Sequence, residues 1–149
     1  MMFHCTVRYL DRFFMVIDGQ TTRVYDTVKG SNEFLPPLLK PVRSFGCGTF
    51  LDAITGEELI LVTGGRGGSG NIADCQVFTP SLGVWTTISP LNAPRAEHSV
   101  VTTVDGVFAV GGGGLVEQLN PTTLTWQSVS PDFWAGKEVA AAAVPDDAV

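Results

Sequence analysis

Few side chains in this sequence are of a type and spacing that could do chemistry. Arg43, Arg66 and Arg95 carry planar guanidinium groups, which pair bidentately with carboxylates. Gly64-Gly65-Arg66-Gly67-Gly68-Ser69-Gly70 has the glycine content of a phosphate-cradling loop. Such a loop needs a following helix, whose N-terminus supplies amide donors. Here Ile72 to Phe78 leads into a strand, and no Gly-Lys-Ser or Gly-Lys-Thr is present. The stretch is therefore read as a long loop between two strands.

The remaining reactive residues give less. Cys5, Cys47 and Cys75 are odd in number, and none forms a Cys-x-x-Cys pair. Free thiols are expected, with one disulfide plus a leftover as the alternative. Two histidines, His4 and His98, without a third nearby ligand do not make a zinc site. No metal and no cofactor are expected. Glu57-Glu58 and Asp146-Asp147 are adjacent acids, and neighbours on a strand point to opposite faces, so neither pair cooperates in acid/base work. No Gly-x-Ser-x-Gly elbow is present. No catalytic residue is assigned.

The elements that would position these residues follow from a repeat. Three apolar strands each end in a glycine-bearing turn: Phe13 to Gly19, Leu59 to Gly65, and Val107 to Gly112. Their last glycines are 46 and 47 residues apart. Each is followed by a second strand ending in a turn: Val24-Tyr25-Asp26, Val77-Phe78-Thr79-Pro80, and Gln118-Leu119-Asn120-Pro121. An aromatic residue comes next: Phe34, Trp85 and Trp126. Pro36, Pro90 and Pro131 close the units. A strand also precedes each glycine turn, and His4 and His98 open two of these strands at matching places, which suggests a repeated structural role. Asp105-Gly106 between two apolar runs signals a hairpin.

Each unit thus reads as four short antiparallel strands, and the fold class is all-β. One such sheet cannot bury both faces alone, whereas radial stacking buries them against each other. The expected layout is blade 1 at about 1–41, blade 2 at about 42–92, blade 3 at about 93–134, and the first strand of a fourth at about 135–149.

The pattern of strand, Gly64-Gly65 or Gly111-Gly112, apolar strand, Thr-Pro or Asn-Pro, and Trp85 or Trp126 seven positions on resembles the Kelch repeat of β-propellers. Pro94-Arg95-x-x-His98 before the next strand adds to the match. The likeness is strongest over about 42–131 and weaker in the first unit, where Asp18-Gly19 replaces the glycine pair and Phe34 the tryptophan. A ring needs about four to eight blades, so three and a fraction imply an incomplete propeller, or a subunit that closes by homo-oligomerisation.

The resemblance implies a protein–protein interaction module. In that family the inter-strand loops and blade-to-blade connections form one face that often binds a protein segment. Arg43, Ser44, Arg66, Arg95 and His98 are the candidates for that face, with an acidic peptide as partner. The alternatives are a propeller enzyme, an oxidase or a sugar-modifying enzyme, or an assembly subunit. Copper chemistry would have only Tyr9, Tyr25, His4 and His98 to draw on.

Composition bounds the partners. A net charge of −6 without a basic cluster disfavours nucleic acid and anionic membrane surfaces. A 44% hydrophobic and 16% charged chain is globular, not disordered. No apolar run is long enough for a spanning helix, and the opening residues do not have the form of a signal peptide. Cytoplasmic location is the default reading.

Overall fold

A computed structural model of the chain describes residues 4–10 and 13–129. The expected start of a fourth blade, Pro131 and the Asp146-Asp147 pair lie outside the described residues. Among the described residues there are fourteen strands: β1 (His4–Tyr9), β2 (Phe13–Asp18), β3 (Thr21–Asp26), β4 (Asn32–Leu35), β5 (Gly46–Leu51), β6 (Glu58–Thr63), β7 (Arg66–Gly67), β8 (Gly70–Asn71), β9 (Cys75–Thr79), β10 (Val84–Ile88), β11 (Ser99–Thr103), β12 (Gly106–Val110), β13 (Glu117–Leu119) and β14 (Trp126–Ser128). No helix occurs among the described residues. The strands form three four-stranded antiparallel sheets, β1-β2-β3-β4, β5-β6-β9-β10 and β11-β12-β13-β14. These are propeller-type blades. The glycine-rich loop adds a small ribbon, β7-β8, between the second and third strands of the middle blade.

Strand alternation explains how the blades stack. On β6, Ile60 and Val62 face the first blade and join a core with Met15, Ile17, Phe78 and Trp85. Their neighbours Leu59 and Leu61 face the third blade and join Val77, Val107, Leu119 and Trp126. A strand buried on both faces must be apolar at successive positions, and Leu59-Ile60-Leu61-Val62 meets that need. Trp85 packs against Phe78 with ring centroids 5.2 Å apart, and its indole N–H donates to the Pro36 carbonyl at 2.9 Å. The first strands of successive blades, β1, β5 and β11, lie side by side along the inner edge.

The hairpins at one end share a device. Asp26, Asp52 and Asn120 each accept a backbone N–H two or three residues on, which closes an Asx-type turn. At the other end, Gly65 has φ +101°, and a Cβ there would lie 2.7 Å from the Arg43 carbonyl oxygen. The backbone approaches too closely for any side chain, and the φ disfavours one.

Two expectations are corrected here. Trp85 pairs with Phe78 and Trp126 with Leu119, so those two are register equivalents. Phe34 instead pairs with Arg23, and Asn32 occupies the tryptophan register opposite Tyr25. Phe34 is accordingly 65% exposed, with the Arg23 guanidinium 4.2 Å from its ring centroid. The cysteines also differ from the free-thiol reading. Cys5 on β1 and Cys47 on β5 form a disulfide between blades 1 and 2, which leaves Cys75 free and buried. The cytoplasmic default had leaned on free thiols, and that support is withdrawn.

The disulfide closes a 42-residue separation. Loop-closure entropy assigns such a link about 4 kcal/mol. Reduction, or the Cys5→Ser/Cys47→Ser variant, is expected to lower the urea midpoint and admit protease between blades 1 and 2. Identical midpoints with and without a thiol reductant would show that the link adds nothing.

Candidate functional site

The blade-to-blade connections decide where the candidate residues go. Ser44 and Glu97 are non-glycine residues with positive φ, +55° and +57°. They occupy equivalent places before β5 and β11. This equivalence aligns Pro41-Val42-Arg43-Ser44-Phe45 with Pro94-Arg95-Ala96-Glu97-His98. Arg95 therefore corresponds to Val42, not to Arg43. Both Val42 and Arg95 are buried, while Arg43 is exposed. A one-residue offset turns the two guanidinium groups in opposite directions.

Arg95 is 0% exposed. Its Nη2 donates to Glu117 Oε2 at 2.8 Å and to the Leu115 carbonyl, and its Nη1 donates to the Gly111 carbonyl at 2.9 Å. Its own carbonyl accepts from Gly65 N–H at 2.8 Å, and its N–H donates to Ile72 at 3.2 Å. One residue thus joins the glycine turns of blades 2 and 3. Glu117 also accepts from the N–H of Asn92 at 2.6 Å and of Ala93 at 3.4 Å. Gln76 holds the same strand register in blade 2, and its amide grips Leu39 and Lys40 of the preceding connection in the same manner. Glu117 and Gln76 both bond these connections and were missed by sequence reasoning. Their only signal is a polar residue where the third strand of each blade otherwise turns apolar.

His98 is buried beside this pair. Its Nε2 lies 2.7 Å from Thr63 Oγ1. Gly46, Gly64 and Gly112 clear the space around it, since a Cβ on Gly46 would lie 2.7 Å from Nε2. Burial, and then the charge of Arg95, lower its pKa to about 4. His98 is neutral at pH 7. His4 stands at the matching register but is exposed, because no earlier sheet covers that edge among the described residues.

The remaining three candidates come together. The backbones of Arg43 and Arg66 form an isolated antiparallel bridge, with N–H to carbonyl distances of 3.3 and 2.7 Å. Arg66 Nη1 donates to Ser44 Oγ at 3.2 Å and to Glu97 Oε1 at 2.8 Å. The Arg66 and Glu97 side chains are 35% and 37% exposed. The loop surface thus presents Arg43, Ser44, Arg66 and Glu97 as one group, above the buried Arg95 and His98. Glu97 had not been singled out, because nothing in the sequence pairs it with Arg66.

The other reactive groups are dispersed. Tyr9 packs on Phe13 and Phe78, toward blade 2, while Tyr25 stacks on Phe14 at 5.0 Å on the opposite face. Burial raises the Cys75 thiol to about 12, which removes it as a nucleophile at neutral pH. No group of three or more His, Cys, Asp or Glu that could hold a metal occurs among the described residues.

Comparison with known proteins finds one kind of relative. Over 79 residues the chain is 38% identical to "Kelch-like protein 7" of Rattus norvegicus, and equally to that of Mus musculus. The match covers 49% of this chain and 14% of each relative. No protein-family model matches the chain. The similarity supports a Kelch-type repeat over about half the sequence.

Two outcomes test the buried group. Arg95→Met leaves the Glu117 carboxylate buried without its cation, and breaking such a pair costs about 3–5 kcal/mol. The double variant Arg95→Met/Glu117→Leu is expected to recover much of that loss in urea denaturation. Equal losses for single and double variants would mean the ion pair is not the interaction that matters. The second test is acidification. The unfolded His98 titrates near 6.5 and the folded one near 4, so the unfolded state alone takes up this proton as pH falls between those values. Stability from this residue is present above pH 6.5 and is lost toward pH 4, by about 3 kcal/mol. The His98→Gln variant should lack this component, and parallel stability curves for the two proteins would refute it.

Proposed function

We propose that this chain is a protein-interaction module whose loop face recognises an acidic segment of a partner protein through Arg43, Ser44 and Arg66. The observation that carries this reading is the pairing of Arg43 with Arg66 across the mouth of blade 2. The bridge fixes the two backbones side by side, and guanidinium groups carried next to each other suit bidentate pairing with carboxylates. The similarity to Kelch-like protein 7 supports the module class and not the choice of ligand. Arg95 and His98 serve the face from beneath. They fix the connection that carries Ser44's counterpart, Glu97, and do not touch the ligand.

Glu97 sharpens the proposal. It already occupies Arg66 and stands in for an incoming carboxylate. An acidic ligand must displace it, so Glu97 tunes the affinity downward. A fluorescein-labelled hexapeptide of alternating Glu and Gly provides the test, read by anisotropy with the full chain. Arg43→Ala/Arg66→Ala is expected to weaken binding at least tenfold, and Glu97→Gln to strengthen it severalfold. Affinity that is unchanged in the double arginine variant rejects the face.

A further inference from the structure

The end of the blades opposite Arg43 has a different chemistry. Leu51, Ile54 and Val104 lie at the tips of the β5–β6 and β11–β12 hairpins and are 62%, 75% and 87% exposed. Leu10, at the β1–β2 tip of the first blade, is 47% exposed. Single exposed apolar residues are ordinary. Here they recur at the inner hairpin of three successive blades, whose inner strands are neighbours. Between blades 2 and 3 this edge opens into a cleft of about 380 Å³, lined by Phe50, Leu51, Val104, Asp105, Leu119 and Pro121 among others.

The charge at this end is negative. Among the described residues, Asp26, Asp52, Glu57, Glu58 and Asp105 stand on or beside its hairpins, against Arg8 and Lys29. Most of these acids are engaged locally: Asp52 accepts from Thr55, and Glu57 accepts from Ser81 through both oxygens. Asp105 differs. Its backbone is pinned, N–H to Thr103 Oγ1 at 3.1 Å and carbonyl to Gln118 Nε2 at 3.0 Å. Its exposed carboxylate makes no hydrogen bond or ion pair among the described residues. A fixed, unengaged anion therefore stands at the lip of an apolar cleft.

The geometry points to a second docking surface: the cleft between Leu51 and Val104 seats a protein segment carrying a large apolar side chain beside a lysine or arginine. The apolar side chain would enter against Phe50, Leu51 and Val104, and the cation would meet Asp105. The two ends of the blades would then hold partners of opposite charge. This surface shares no residue with Arg43, Ser44 or Arg66, so either can fail alone.

The test is an amide-resolved NMR titration of the isotope-labelled full chain with acetyl-Lys-Leu-Leu-Arg-amide, using acetyl-Glu-Leu-Leu-Glu-amide as control. Saturable shifts are expected at Leu51, Val104, Asp105 and Gly106, and not at Arg43 or Arg66. Leu51→Ser/Val104→Ser should weaken binding at least tenfold, and Asp105→Asn severalfold, with a flatter salt dependence. All three side chains are exposed, and an unchanged urea midpoint confirms that the variants fold. The proposal is overturned by an absence of shifts at millimolar peptide, by equal binding of the glutamate peptide, or by affinity indifferent to the variants. It is also overturned if these amides shift with protein concentration alone, which would assign the cleft to a second copy of the chain.

Discussion

The stacking of the blades depends on how the connecting backbone between them is held. A connection that passes from the outer strand of one sheet to the inner strand of the next must bury peptide groups that pair with no strand. Such groups are costly unless each finds a partner. Arg95 and Glu117 supply those partners between blades 2 and 3. The guanidinium reaches three acceptors of blade 3, while the Arg95 backbone holds Gly65 and Ile72 of blade 2. Gln76 performs the same work for the previous connection with an uncharged amide. Blade 3 uses a buried charge pair here because a guanidinium enters the core, and a buried cation requires a buried anion.

The loop surface is a consequence of that inner scaffold. The turn that places Glu97 at positive φ is anchored on one side by Arg95 and on the other by His98. Ser44 repeats the conformation one blade earlier, and its hydroxyl meets Arg66 there. Exposed charges therefore sit directly above buried ones. Arg43 is exposed and the Arg66 side chain partly so, whereas Arg95 and His98 beneath them are buried.

Much of the fold was legible in the residues. Apolar runs ending in glycine turns, spaced by about one blade, marked the repeat, and the tryptophans at 85 and 126 marked the buried face of each sheet. The first blade was misread at Phe34, which lies two positions beyond the tryptophan register, on the same strand face but opposite Arg23 instead of Tyr25. Arg95 was grouped with Arg43 and Arg66 on the exposed rim, but it is buried. Arg43 and Arg95 sit in similar contexts after a proline, yet differ by one position relative to the positive-φ residue. The Cys5–Cys47 link escaped because the two residues are far apart in sequence and meet only when two inner strands lie side by side.

The sequence by itself determined the all-β class, the strand count per unit and the glycine turns, because these follow from local periodicity and backbone sterics. Only the tertiary structure decided which arginine is buried, that Glu97 answers Arg66, that His98 is enclosed by three glycines, and that Asp105 stands at a cleft. Each of these depends on register between blades. That register is set by side chains from separate repeats packing together, and no spacing within one repeat encodes it.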